Sequence, residues 1–190
     1  GKYAINFYPI LSQKKASFIE YLPDLVIDIG EIAGLSRMNA KLLWRVSPDG
    51  EIRDPKKNLE YVFEMDEKYF FDYHLLNTSN NMNISYYEKW KNIFDQIQST
   101  SIELPFSNIY AAYLMSKKMP ENSVIHFGIL NSLRSWNFFS LNKNIRCYAN
   151  TGGYGIDGGL STLIGASLVN PKKIYFGIFG DLSFFYDLNS

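Results

Sequence analysis

The residues best placed for chemistry in this 190-residue chain lie in two short segments near its end. Thr151 to Gly159 carries five glycines in nine positions, with Ile156 and Asp157 set among them. Further on, Gly180-Asp181-Leu182-Ser183 follows Lys173 to Phe179, an almost unbroken apolar run. Such a run reads as a parallel strand buried on both faces. An acid directly after it stands where open α/β sheets place their ligands, so the pair of segments reads as a cofactor site. A P-loop is excluded, because no Gly-Lys-Ser/Thr follows the glycines. A dinucleotide site is a stronger candidate. Gly153-Tyr154-Gly155-Ile156-Asp157-Gly158 satisfies G-x-G-x-x-G, with Asp181 placed 23 residues beyond Gly158. Two features oppose it. Asp157 puts a carboxylate among the amides meant for a pyrophosphate, and like charges in a dry site repel strongly. Two strands also precede the loop, whereas the fingerprint belongs after the first strand of its domain.

The elements that position these segments follow from periodicity. Ile145 to Ala149 reads as the strand before the glycine loop, and Ser161 to Leu168 as a small-residue helix after it. Ser123 to Gly128 is a strand, followed by a helix from Asn131 to Phe139. His126 lies inside that apolar strand and reads as a hydrogen-bonded core histidine. Ser85 to Gln98 is a helix with Tyr86, Trp90, Ile93, Phe94 and Ile97 at helical spacing, all packing residues. Pro105 opens another helix, Phe106 to Met115. Earlier still, Leu25 to Ile29, Trp44 to Ser47 and Tyr61 to Met65 read as strands, Met38 to Leu43 as a short helix, and Tyr69 to His74 as a helix or turn. Asn77 to Asn83 is polar and aperiodic, a linker. Strands alternating with helices predict an α/β fold with parallel sheets, in three-layer domains.

Composition excludes several classes of function. The chain is 46% hydrophobic and 20% charged, with 19 basic and 19 acidic residues, the balance of an ordinary globular protein. Without a basic cluster, neither nucleic acid nor an anionic membrane is an expected partner. A single cysteine, Cys147, rules out an internal disulfide and a multi-cysteine metal site, and suits a reducing, cytoplasmic compartment. No apolar run reaches membrane-spanning length, and no signal peptide is expected.

A third reading of the glycine loop rests on resemblance. Asn150-Thr151-Gly152-Gly153-Tyr154-Gly155-Ile156-Asp157-Gly158 and Gly180-Asp181-Leu182-Ser183-Phe184-Phe185-Tyr186-Asp187-Leu188-Asn189 closely resemble the cofactor domain of thiamine-diphosphate enzymes. Among these the chain is most similar to the menaquinone-pathway carboligases. Their patterns are Asn-Arg-Gly-x-x-Gly-Ile-Asp-Gly and Gly-Asp-Leu-Ser-x-x-Tyr-Asp-Leu-Asn. Pro23 to Gly30 and Trp44 to Gly50 resemble that family's central domain. The resemblance implies that residues 1–76 are the C-terminal part of a central domain, 77–104 a linker and connecting helix, and 105–190 the N-terminal half of the cofactor domain. It implies a Mg²⁺-dependent enzyme joining a 2-oxo acid to an acceptor, as a homodimer or homotetramer. Asp181 would be a Mg²⁺ ligand, and Gly180, Leu182 and Ser183 would meet the diphosphate. Ile156 would act in catalysis as the apolar wedge beneath the cofactor, with Gly155 and Asp157 beside it.

The same resemblance implies that part of the site lies elsewhere. An Asn and a backbone carbonyl on the metal would come some two dozen residues after the Gly-Asp segment, and the activating glutamate would come from an N-terminal domain. The chain is therefore expected to be a fragment, inactive alone. Candidate substrate residues are Arg37, Asn131, Ser132 and Arg134. Two family arginines fall on Thr151 and Trp136, which lack the bidentate fork that holds carboxylates. This departure points to a smaller or less charged partner than the menaquinone pathway uses. A related carboligase of another pathway, or a non-catalytic nucleotide-binding domain, remains an alternative.

Overall fold

The computed structural model describes residues 3–12, 21–30, 40–54, 56–77, 83–99, 103–153 and 155–188. In chain order the elements are α1 (Tyr8–Ser12), β1 (Leu25–Ile29), β2 (Leu42–Val46), β3 (Leu59–Phe63), α2 (Glu67–Asn77), α3 (Ser85–Ser99), α4 (Asn108–Ser116), β4 (Val124–Phe127), α5 (Asn131–Trp136), β5 (Arg146–Ala149), α6 (Gly159–Val169), β6 (Tyr175–Ile178) and α7 (Asp181–Tyr186). They form two compact units, one of residues 14–85 and one of 1–13 with 86–190.

The first unit is a parallel sheet in the order β1-β2-β3. Asp28 on β1 pairs in register with Arg45 on β2, and both are buried, at 4% and 1% exposure. Arg45 is the hub of the unit. Its Nη2 donates to Asp49 at 2.9 Å and its Nε to Glu51 O at 3.2 Å, so the guanidinium fixes the turn after β2. A buried cation needs such partners, since desolvation outweighs packing. Phe70 of α2 seals one face against Phe63, ring centroids 4.9 Å apart. The helix expected over 38–43 is corrected in part. Leu42 and Leu43 are already strand, because Leu42 N donates to Asp24 O at 2.9 Å and draws the segment alongside β1. Residues 31–39, including Arg37, lie outside the described residues.

The second unit is a parallel sheet in the order β5-β4-β6. Central β4 is buried at every position, as its continuous apolar run predicts. Ile125 and Phe127 pack against Ala112 of α4 and Trp136 of α5. The opposite face belongs to α6. Gly177, in register with His126, lies so close to Leu163 and Phe179 that a Cβ would sit 2.9 Å from the Leu163 side chain. Helices on both faces make this the expected three-layer α/β unit with parallel strands. Several expected boundaries move: α6 spans Gly159–Val169 rather than 161–168, and β6 spans Tyr175–Ile178 rather than 173–179. α4 starts at Asn108 rather than Phe106, because Ser107 caps it by accepting from Tyr110 N at 3.2 Å. α5 ends at Trp136 rather than Phe139, where Phe139 N turns back to Trp136 O at 3.0 Å.

Candidate functional site

All three strands of the second sheet end at one edge, and each is followed by a loop and a helix. From β4 the chain passes to β5 on one side and then crosses to β6 on the other. The connections therefore part between β4 and β6, and a topological switch point opens a crevice there, beyond the carboxyl ends of the strands. Gly128 to Ser132 supply one wall and Gly180 to Ser183 the other, with Ile156 completing the lining of a cavity of about 170 Å³. A second cleft of about 400 Å³ shares Asn131, Ser132, Gly180 and Asp181 and extends to Asn108, Met115 and Trp136. Ile156, Gly180, Asp181, Leu182, Ser183, Asn131 and Ser132 thus meet at one place. Gly155 and Asp157 lie on the loop outside these linings, with the Asp157 carboxylate folded back over Gly155. Arg134 is exposed on α5 and lines neither cleft.

The glycine loop is anchored at both ends. Asn150 Nδ2 donates to Gly158 O and to Thr162 Oγ1, both at 3.2 Å, closing the loop at its base. Gly158 has φ 76°, a left-handed cap that suits glycine, and offers α6 no side-chain acceptor. The acceptor comes from 26 residues away. Asp187 takes the Ser161 N–H at 2.8 Å and the Ser161 hydroxyl at 2.6 Å, capping the first turn of α6 from beyond α7. A second tie runs from Ser183 Oγ to Ile156 O. Glycine loop and Gly-Asp segment are therefore clasped at two points. Sequence reasoning gave no role to Asp187 or Asn150. Their place in the two motifs was the available signal, but not the partner each finds.

Thr151 and Trp136 line a further cavity of about 470 Å³ with Phe127, Leu133, Phe139 and Tyr148, and no charged side chain joins them. Trp136 is 5% exposed and packs on Phe127 at 5.4 Å. His126, at 4% exposure, has its pKa lowered by burial, an effect partly offset by a hydrogen bond with Asn150. No group of three or more His, Cys, Asp or Glu side chains is gathered as a metal site among the described residues. No helix among them is long and apolar enough to cross a membrane.

Fold and crevice together define the class: a three-layer parallel α/β protein with a cleft at the switch point between β4 and β6. Comparison with known proteins narrows this. No protein-family model matches the chain. It is 32% identical over 177 residues to the 2-succinyl-5-enolpyruvyl-6-hydroxy-3-cyclohexene-1-carboxylate synthase of Bacteroides fragilis, which covers 89% of this chain and 31% of that synthase. The protein of the same name from Christiangramia forsetii is 42% identical over 88 residues, 46% of this chain and 15% of the relative. That of Bacillus pumilus is 28% identical over 203 positions, 97% of this chain and 34% of the relative. The chain is thus similar to these synthases over most of its own length and spans about a third of the length of the curated relatives it matches.

Proposed function

We propose that the protein containing this chain is a thiamine diphosphate- and Mg²⁺-dependent 2-oxo-acid decarboxylase/carboligase. Residues 1–76 would be part of its central domain, 77–104 a linker and connecting helix, and 105–190 the first half of its cofactor domain. The observation that carries this reading is the crevice in which Ile156 and Asp181 meet. Ile156 and Leu182 provide apolar wall, and Asp181, Ser132 and Ser183 provide polar groups. A cofactor with flat rings at one end and a diphosphate at the other needs both. The donor set also suits Mg²⁺, which commonly takes one or two carboxylates together with phosphate oxygens and waters. Asp181 would be that carboxylate.

When bound, thiamine diphosphate would supply a carbon nucleophile suited to 2-oxo-acid decarboxylation and acyl transfer. Ile156 would offer an apolar surface to the cofactor's rings, and Ser183 holds the Ile156 backbone in place. Asp181 would hold the metal through its carboxylate. Asn131 and Ser132 face the same crevice as candidate substrate contacts. The uncharged cavity at Thr151 and Trp136 favours an acceptor less charged than a dicarboxylate, because a carboxylate buried there would lack a partner. A cytoplasmic homodimer or homotetramer, sharing cofactor between subunits, completes the proposal.

Titration calorimetry on the full-length protein tests it. Thiamine diphosphate with Mg²⁺ should bind at micromolar strength or better, about −8 kcal/mol. Asp181→Ala should abolish that binding, while Ile156→Gly should retain cofactor and slow turnover. Equal cofactor affinity without the Asp181 carboxylate would end the thiamine reading. Assay with 2-oxoglutarate plus isochorismate, against pyruvate plus a neutral aldehyde, decides the acceptor class. Efficient turnover of the first pair would show that Thr151 and Trp136 have been misread.

A further inference from the structure

The turn from β4 into α5 breaks two rules at one residue. Leu130 has φ 63° and ψ −117°, backbone that glycine adopts freely and leucine adopts only under strain. It is also the N-cap of α5, where Ser, Thr, Asp, Asn or Gly is favoured and leucine has no oxygen to offer. Glycine would satisfy both demands. The conformation is held by the helix it starts. Leu130 O accepts from Arg134 N at 2.8 Å, and Gly128 O accepts from Leu133 N at 3.1 Å. Core packing does not offset the strain, since Leu130 is 47% exposed.

Leu130 instead lines the crevice of about 170 Å³ beside Ile156, Asp181 and Leu182. That is below the range of about 300–1,000 Å³ usual for ligand pockets. The adjoining cleft of about 400 Å³ shares four lining residues with the crevice but not Leu130. Leu130 therefore narrows the Ile156 side alone. We propose that Leu130 is a specificity-determining residue that limits the length of the 2-oxo acid side chain held beside Ile156. This rests on the cofactor reading above, because only the acid that bonds to the cofactor must share that crevice with it.

The test compares the full-length protein with Leu130→Ala and Leu130→Gly. Both remove the side chain, but only glycine also removes the backbone strain. Leu130→Gly should melt about 2–4 °C above Leu130→Ala; identical melting would show that the backbone is not strained at this residue and overturn the proposal. Acylphosphonates, in which a phosphonate replaces the departing carboxylate, serve as binding probes on the cofactor-loaded protein. The ratio of hexanoylphosphonate to acetylphosphonate affinity should rise about tenfold or more in both variants, as expected when a pocket gains room for added methylenes. An unchanged ratio with cofactor bound overturns the role of Leu130 and leaves the cofactor reading standing. Failure of the unsubstituted protein to bind thiamine diphosphate overturns both.

Discussion

Replacing Asp187 probes how the two motif segments hold together. Asp187→Ala deletes two bonds to Ser161, at 2.8 Å from the backbone N–H and 2.6 Å from the hydroxyl. A hydrogen bond to a charged group contributes about 1.5–3 kcal/mol when enclosed. This one is partly open to solvent, so the lower end applies. Loss of an N-cap acceptor costs about 0.5–2 kcal/mol by an independent scale. Gly158 has no side chain to substitute, so nothing local replaces the lost cap. The two scales meet at about 2 kcal/mol, which for a unit of this size lowers the melting temperature by about 6–12 °C. Asp187→Asn keeps a carbonyl acceptor and should lose about half as much. Thermal melts of Asp187→Ala, Ser161→Ala and the double variant form a cycle with an expected coupling of about 0.5–1.5 kcal/mol. Additive effects, or a melting temperature for Asp187→Ala within about 1 °C of the parent, would refute the remote cap.

Other expected outcomes are equally direct. Gly177→Ala places a methyl group against Leu163 and the Phe179 ring, and chemical denaturation should show a loss of about 1–3 kcal/mol from overpacking. Burial lowers the His126 pKa, so the unfolded chain binds the proton more readily than the folded one. Stability should therefore fall as pH drops below the ordinary histidine value of 6.5, and His126→Gln should flatten melting temperature against pH in that window. The first unit offers a separate check at Arg45, whose guanidinium lies 3.9 Å from the buried Asp28 carboxylate. Arg45→Met removes that cation and should cost about 3–5 kcal/mol in urea unfolding.

Much of the fold was legible because its strands are apolar runs bounded by turn residues. β4 needed no tertiary knowledge, since Val124–Phe127 is buried at every position, whereas β6, expected to be buried on both faces, is an edge strand that is only partly buried, with Gly177 exposed. Element ends were less legible. Leu42 and Leu43 suit a helix by propensity, and only pairing with Leu25 and Val26 makes them strand. The start of α4 was misplaced because Pro105 resembles an opening residue, whereas the Ser107 hydroxyl decides the cap. At the site, the residues meeting in the crevice could be named from their motifs, yet the sequence holds no sign of Leu130. Its backbone conformation contradicts its residue type, and local reasoning cannot foresee a strained residue.

The remote cap also bears on which cofactor chemistry the loop can serve. A dinucleotide site of the G-x-G-x-x-G kind works by turning the free amides at the start of its helix toward a pyrophosphate. At the start of α6 the Ser161 amide is already taken by the Asp187 carboxylate. A second carboxylate, Asp157, lies over Gly155 in the same loop. An anion approaching this helix would meet two negative charges and displace a charged hydrogen bond, both unfavourable. The glycines must therefore do something other than cradle phosphate. They let the loop close over Asn150 and bring Ile156, an apolar residue, to the crevice that Asp181 also lines from the end of β6. A loop that delivers a hydrophobic wedge and a strand end that delivers a carboxylate suit a cofactor with rings on one side and a metal-bound diphosphate on the other.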